Sequence, residues 1–170
     1  MLITNVVTPS SNGATVSVRI DGDTVTEVGS GLVARANEDV VDGAGGLLTE
    51  SLVETHAHID KAYLAELIPN PTGDLMGAIG AMIANRHVMT VANTIERAER
   101  AVRTMVRNGV TTIRTHADLT AEHGLTSVEA LLEVKRRTSD IVDLQVCALI
   151  GWPIDRKSTR LNSSHANISY

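Results

Sequence analysis

The sequence of 170 residues contains no phenylalanine, and Trp152, Tyr63 and Tyr170 are its only aromatic residues. Its apolar content therefore consists almost entirely of Val, Leu, Ile and Ala, which suit parallel strands that are buried on both faces. Cys147 is the only cysteine. A single cysteine excludes an internal disulfide and a thiolate zinc cluster made by one chain.

Long apolar runs and long basic runs are also missing from the sequence. No stretch of about 18 apolar residues occurs, and the amino terminus lacks the basic and apolar regions of a signal peptide. The formal net charge is -5 without a basic patch, which argues against binding of nucleic acid or of an anionic membrane. We therefore predict a cytoplasmic protein that acts on a small molecule, and leave open whether it forms a homo-oligomer.

Turn residues divide the first 46 residues into short β-type runs. Ser-Asn-Gly at 11–13 and Asp-Gly-Asp at 21–23 separate the runs LITNVV, ATVSVRI and TVTEVG. This pattern predicts a small antiparallel sheet in residues 1–46. The segment VVDGAGG at 40–46 then leads into the next part of the chain.

Strand and helix patterns alternate from residue 47 to residue 154. Apolar runs predict strands at 52–56, 110–116 and 142–150, and helical spacing predicts helices near 75–85, from Thr90 to Asn108, and from Thr126 in a capping box. We predict that Arg97 lies with Glu96, Glu99 and Arg100 on a solvated helix face. The alternation indicates an α/β fold with a parallel sheet and crossover helices.

The sequence VETHAHIDK contains two histidines, His56 and His58, at the end of a predicted strand. Side chains two apart on a strand point the same way, so both imidazoles can face one ion. Neutral imidazole is a ligand for zinc and iron(II). The alternative for such a pair is two surface or core histidines, and the surrounding sequence decides between them.

Several sequence runs carry a resemblance that covers about residues 40–148. In chain order they are 53–61, 108–110, 113–118, 131–135 and 142–146. Together they resemble the amidohydrolase superfamily and, within it, cytosine deaminase and its relatives. The resemblance implies a TIM-type (β/α)8 barrel, with residues 47–154 as its first three strands and 1–46 as part of a small β-sandwich.

The resemblance also implies an activity and a set of site residues. The activity is hydrolysis of a non-peptide C–N bond of a nitrogen heterocycle by water that one divalent metal ion, zinc or iron, activates. His56 and His58 carry over as metal ligands, and the other ligands and the acid and base groups are expected beyond Ile154. His116, Asp118 and Asp60 are candidates to line the substrate pocket or to support the ligands. His87 and His123 are interpreted as surface histidines.

The sequence departs from cytosine deaminases at the end of the third predicted strand. Those enzymes have Phe-Pro-Gln there, and this chain has Leu149-Ile150-Gly151, which offers no amide side chain. Cytosine itself is therefore disfavoured, and related deaminases and cyclic amide hydrolases stay open. A non-catalytic α/β binding module is the alternative from another class. Zinc deaminases with a Cys-x-x-Cys motif are excluded by the single cysteine.

Residues 155–170, DRKSTRLNSSHANISY, show no apolar periodicity. The run DRKSTRLNSSH matches one reading frame of a widely used sequencing adapter, so we predict a non-native tail instead of a polar native one, and His165 leaves the candidate set. The chain is then expected to be an amino-terminal fragment without activity of its own. A native frame that continues through this run in independent reads of the locus would contradict the prediction.

Overall fold

The computed structural model describes residues 1–120 and 122–150. The contacts divide the chain into two compact units, Met1–Glu50 and a second unit that begins at Ser51. Residues 155–170, predicted to be a non-native tail, lie outside the described residues. Among the described residues, every helix is too short or too polar to cross a lipid bilayer.

The first unit is a four-stranded sheet in the order β3-β2-β1-β4. Its strands are β1 (Leu2–Val7), β2 (Thr15–Asp21), β3 (Thr24–Gly29) and β4 (Val40–Asp42). The first three are antiparallel, as predicted. β4, which the sequence analysis does not predict as a separate strand, instead pairs parallel with β1, with Leu2 opposite Val40. A strand of three residues is too short to show a periodicity.

The interior of the first unit combines a few aliphatic side chains with a buried ion pair. Leu2, Val6 and Val18 are its buried hydrophobic residues. Arg19 Nε donates to Glu38 Oε1 over 2.8 Å, and only 4% and 6% of these two side chains is exposed. Arg19 also pairs with Glu27. A guanidinium therefore occupies a place that an apolar side chain takes in most sheets.

The second unit confirms the predicted mixed α/β class. Its three strands are parallel and adjacent in the order β5-β6-β7, with bounds Leu52–Ala57, Val110–Leu119 and Asp143–Ile150. The helices between them are α1 (Leu75–Ala84), α2 (Val91–Arg107) and α3 (Thr126–Arg137). Three short 3-10 turns lie at Ile59–Lys61, Leu64–Glu66 and Arg86–Val88.

The apolar core of the second unit lies between the sheet and the helices α2 and α3. Alternate residues of β6, Ile113, Ala117 and Leu119 among them, are buried in a cluster with residues of both helices and of β7. Because side chains alternate along a strand, His116 and Asp118 lie on the opposite face of β6. The core thus determines which face of the sheet carries polar chemistry.

Helix α2 has the bounds that the sequence predicts, but one residue on it was assigned to the wrong face. Thr90 caps its start by accepting from Asn93 N over 3.2 Å, and Gly109, at φ 87°, follows its end. Arg97 is only 5% exposed, so the prediction of a solvated side chain is wrong. It follows Thr94 by three residues and precedes Ala101 by four, which places it on the buried stripe.

The start of helix α3 also differs from the prediction. Its N-cap residue is Leu125, and no side chain caps it. Thr126 Oγ1 instead donates to the carbonyl of His123 over 2.9 Å. The predicted capping box is therefore wrong, because the helix already includes Thr126 and its hydroxyl faces the preceding turn.

Candidate metal centre

Three histidines meet at the carboxyl ends of the adjacent strands β5 and β6. His56 lies within β5 and His58 directly after it, and β6 carries His116. Ala57, between the first two, is buried against the core, as are both neighbours of His116. The alternation of side chains therefore turns all three imidazoles to the polar face of the sheet.

The three imidazoles are close enough to share one ion. One ligand atom from each lies within 4.8 Å of the others. The rings of His56 and His116 stack with centroids 4.3 Å apart, and those of His56 and His58 meet edge to face at 5.3 Å. Zinc binds imidazole nitrogens at about 2.0–2.1 Å. The three ligand atoms thus lie in the range of separations at which one ion could be held.

The chemistry of this donor set fits a divalent transition metal. Neutral imidazole is the ligand form, and burial, followed by the nearby Lys61 ammonium, lowers the pKa of His58 and favours that form. Within the described part of the chain, His116 Nδ1 is buried without a hydrogen-bond partner. A buried ring nitrogen without a partner has lost its interaction with water, and ligation of a metal by the deprotonated nitrogen would replace that interaction.

A buried carboxylate and a lysine lie beside the histidines. Asp60 is fully buried, and its Oδ2 accepts from the backbone N–H of Asp118 over 3.4 Å. Lys61 Nζ lies 2.9 Å from Asp118 Oδ2, 3.4 Å from Asp60 Oδ2 and 3.5 Å from His58 Nδ1. Lys61 thus joins both predicted acidic residues to a histidine of the centre.

The structure brings the five predicted site residues into one region. His116, predicted near the pocket or behind the ligands, lies with His56 and His58 in the same cluster. The other two, Asp60 and Asp118, contact Lys61. Their roles toward a metal or a substrate stay predictions.

Two further histidines lie outside the cluster. His87 is exposed, as predicted. His123 is half-buried: its Nε2 is buried and has no hydrogen-bond partner among the described residues, while part of the residue stays exposed. Burial and the nearby Arg86 lower the pKa of His123. Its sequence neighbours, Ala-Glu before it and Gly-Leu after it, show no periodicity that would indicate this.

Two curated proteins are similar to this chain in sequence, and no family model matches it. A pterin deaminase from Rhizobium rhizogenes strain K84 is 32% identical over 115 residues, which are 67% of this chain and 26% of that protein. An N-isopropylammelide isopropyl amidohydrolase from Pseudomonas sp. strain ADP is 26% identical over 163 residues, covering 89% of this chain and 39% of that protein. The predicted resemblance to amidohydrolases and deaminases is confirmed.

Solved structures show the same fold relationship. The 5-methylcytosine deaminase from Klebsiella pneumoniae aligns with a TM-score of 0.84 at 24% identity, over 99% of this chain and 41% of that one. Atrazine chlorohydrolase from Arthrobacter aurescens TC1, complexed with zinc, aligns with a TM-score of 0.61 at 15% identity, over 86% and 35%. The amidohydrolase-like chain therefore spans roughly a quarter to two fifths of the length of these proteins.

Proposed function

We propose that this chain is the metal-binding part of a hydrolase that cleaves a non-peptide C–N bond of a nitrogen heterocycle. The observation that carries the proposal is the cluster of His56, His58 and His116, three imidazoles from adjacent strand ends with ligand atoms within 4.8 Å. Catalytic zinc sites use three protein ligands and a water molecule. The similarity to deaminases and amidohydrolases supports this chemistry over a non-catalytic binding module.

In this proposal the three histidines hold zinc or iron(II). Such an ion, when bound, lowers the pKa of a water molecule so that hydroxide forms near neutral pH. Asp60 and Asp118, joined by Lys61, would border the place where the heterocycle binds. The groups that donate and accept the remaining protons are expected in sequence that corresponds to later parts of the relatives.

We also propose that β5, β6 and β7 are the first three strands of a TIM-type barrel and that the first unit is part of a small sandwich. The likeness to the 5-methylcytosine deaminase supports this architecture. The three histidines lie at carboxyl ends of parallel strands, where barrels of this type place their active sites. Cytoplasmic location stays a prediction, and whether the protein forms a homo-oligomer stays open.

Metal titration of the chain tests the ligand set directly. We expect one Zn²⁺ or Co²⁺ per chain by calorimetry and by Co²⁺ absorption. Affinity should fall at least about tenfold in His56→Ala, His58→Ala and His116→Ala, as each variant removes one of three ligands. His87→Ala, which changes an exposed histidine outside the cluster, is the matched control. Unchanged binding in the first three variants would contradict the proposal.

A substrate panel tests the reaction class in the protein encoded by the complete locus. Pterin, 5-methylcytosine and N-isopropylammelide represent the compounds that the names of the relatives describe. Release of ammonia or an alkylamine supports a deaminase, and ring opening without amine release supports a cyclic amide hydrolase. Binding of these compounds without turnover and without metal would favour the binding module.

A further inference from the structure

Arg97 is a buried cation that hydrogen-bonds to backbone carbonyls directly after the metal centre. Its Nη1 donates to the carbonyl oxygens of Asp60 over 2.9 Å and of Ala62 over 2.6 Å. Its Nε donates to Asn93 Oδ1 over 2.8 Å, and its Nη2 lies 3.3 Å from Thr94 Oγ1. We call Arg97 and the two carbonyls the carbonyl clamp. Every nitrogen of the guanidinium therefore has a partner, as a buried cation requires.

The clamp holds the turn that follows His58. The 3-10 turn Ile59–Lys61 begins there, and the carbonyl of His58 accepts from Lys61 N over 3.0 Å. A second buried contact fixes the same turn from β6, where Thr115 Oγ1 accepts from Ile59 N over 3.1 Å. The turn is thus fixed from α2 and from β6.

The 3-10 turn Ile59–Lys61 also positions the charged side chains that lie near His58. It carries Lys61, whose Nζ lies 3.5 Å from His58 Nδ1, and Asp60, which accepts from the backbone of Asp118. A shift of this turn would move the backbone of His58 relative to His56 and His116. Groups that hydrogen-bond directly to metal ligands typically contribute about 10- to 100-fold to metal affinity, and we use this range for the turn that holds His58.

We propose that Arg97 is a positioning residue for the histidine centre and acts on His58 through the carbonyl clamp. The inference rests on the proposed function, since it concerns the metal that the three histidines would hold. A planar guanidinium can bind two carbonyls with a fixed geometry, which a lysine cannot reproduce. An apolar side chain would fill the same space without desolvating a charge, so packing alone does not explain Arg97.

Metal binding in Arg97→Met and Arg97→Lys tests this proposal. We expect Zn²⁺ affinity to fall about 10- to 100-fold in Arg97→Met and less in Arg97→Lys, which keeps the positive charge and one donor nitrogen. The Co²⁺ absorption spectrum should change in shape, which a loss of stability alone would not cause. Arg103→Met, on the same helix at 50% side-chain exposure, is the matched control and should bind as the parent chain does.

Further variants keep the proposal falsifiable if Arg97→Met does not fold. Thr115→Val removes the acceptor of Ile59 N and should lower Zn²⁺ affinity, whereas Thr115→Ser keeps the hydroxyl and the affinity. If folded Arg97 variants keep the Zn²⁺ affinity and the Co²⁺ spectrum of the parent chain, the proposal is overturned. It is also overturned if Arg97→Met, Arg97→Lys and Thr115→Val all fail to fold. If His56→Ala also binds Zn²⁺ like the parent chain, the proposed function has failed instead.

Discussion

The two units of the chain solve the burial of a sheet in different ways. The first unit buries Leu2, Val6 and Val18 together with Arg19, while Val25 and Val33 stay exposed. Within residues 51–120 and 122–150, the second unit buries a cluster of fourteen apolar residues between its sheet and the helices α2 and α3. The first unit therefore depends strongly on an ion pair, and the second depends on apolar packing.

This difference also explains where polar chemistry can be placed. The second unit can turn a face of β6 with His116 and Asp118 away from the core because the opposite face is covered by helices. Its buried charges, Asp60 and Arg97, lie at the edge of that core beside the histidines. In the first unit the buried charge lies in the sheet itself, and the three histidines are absent from it.

Removal of an apolar side chain from the second unit should have the largest effect on stability. Leu131 is fully buried, and Leu131→Ala should lower the free energy of unfolding of this unit by about 2–5 kcal/mol. Leu132→Ala, at a neighbouring position that is 40% exposed, is the control. Urea unfolding and hydrogen exchange of peptides from each unit measure the change. Faster exchange in the first unit would contradict the contrast between the units.

Metal should stabilise only the second unit. At a free Zn²⁺ concentration one hundred times the dissociation constant, linkage gives about 2.7 kcal/mol. Hydrogen exchange should slow in peptides after residue 51 and stay unchanged in peptides before it, and a chelator should reverse the effect. His56→Ala should reduce the protection at the same free Zn²⁺ concentration, and His87→Ala should keep it. Slower exchange in residues 1–50 would place a binding site outside the histidine cluster.

Removal of the buried Arg19 guanidinium should destabilise the first unit and leave the second unit unchanged. Arg19→Met leaves the carboxylate of Glu38, which is 6% exposed, without its guanidinium partner. The amino terminus, 3.8 Å from Glu38, compensates part of this charge, so we place the effect below the two above. Peptides from 1–50 should exchange faster. Arg35→Met, at a side chain that is 53% exposed, should have little effect, and equal effects would refute the role of burial.

Periodicity predicted most of the second unit because its elements are long. The strands β6 and β7 and the helix α2 have a buried and a polar side, and each pattern repeats several times. β4 has three residues and therefore no repeat, and the start of α3 depends on one hydroxyl. Local sequence does not determine such short features, because tertiary contacts decide them.

The sequence predicted the part of the site that lies on a single strand, but not the contacts between strands. The spacing of His56 and His58 shows that they share a face, but the approach of His116 depends on the register of β6, where Thr115 lies opposite Ala57. The position of Arg97 on the buried stripe of α2 was readable from its spacing to Thr94 and Ala101. Because buried arginines are uncommon, the charge of Arg97 favoured the prediction of a solvated side chain over this spacing.

Lowering the pH should destabilise the first unit through its buried ion pair, and we expect this effect on stability to be the smallest of those predicted. A hydrogen bond from Arg19 lowers the pKa of Glu38 below its ordinary value of 4.5. A depressed folded-state pKa gives stabilisation that is present above the unfolded value and is lost as the pH falls through the folded one. The first unit should therefore keep its exchange protection from pH 7 to about pH 5 and lose part of it below about pH 4.5. Glu38→Gln should reduce this pH dependence, and the part that remains is expected from Asp42, whose pKa is lowered by hydrogen bonds from the backbone of Ala44 and from Asn5.

Salt separates this effect from the acid response of the second unit. There, hydrogen bonds from Arg136 and Arg137 lower the pKa of Glu133 to about 2, but these arginine side chains are 72% and 44% exposed. High salt screens exposed charges much more than buried ones, because the Debye length falls to about 3 Å at 1 M. The acid response of the second unit should therefore shrink in 1 M salt, while that of the first unit persists. Equal attenuation in both would show that the Arg19–Glu38 pair is solvated, and the contrast between the two interiors would then rest on apolar packing alone.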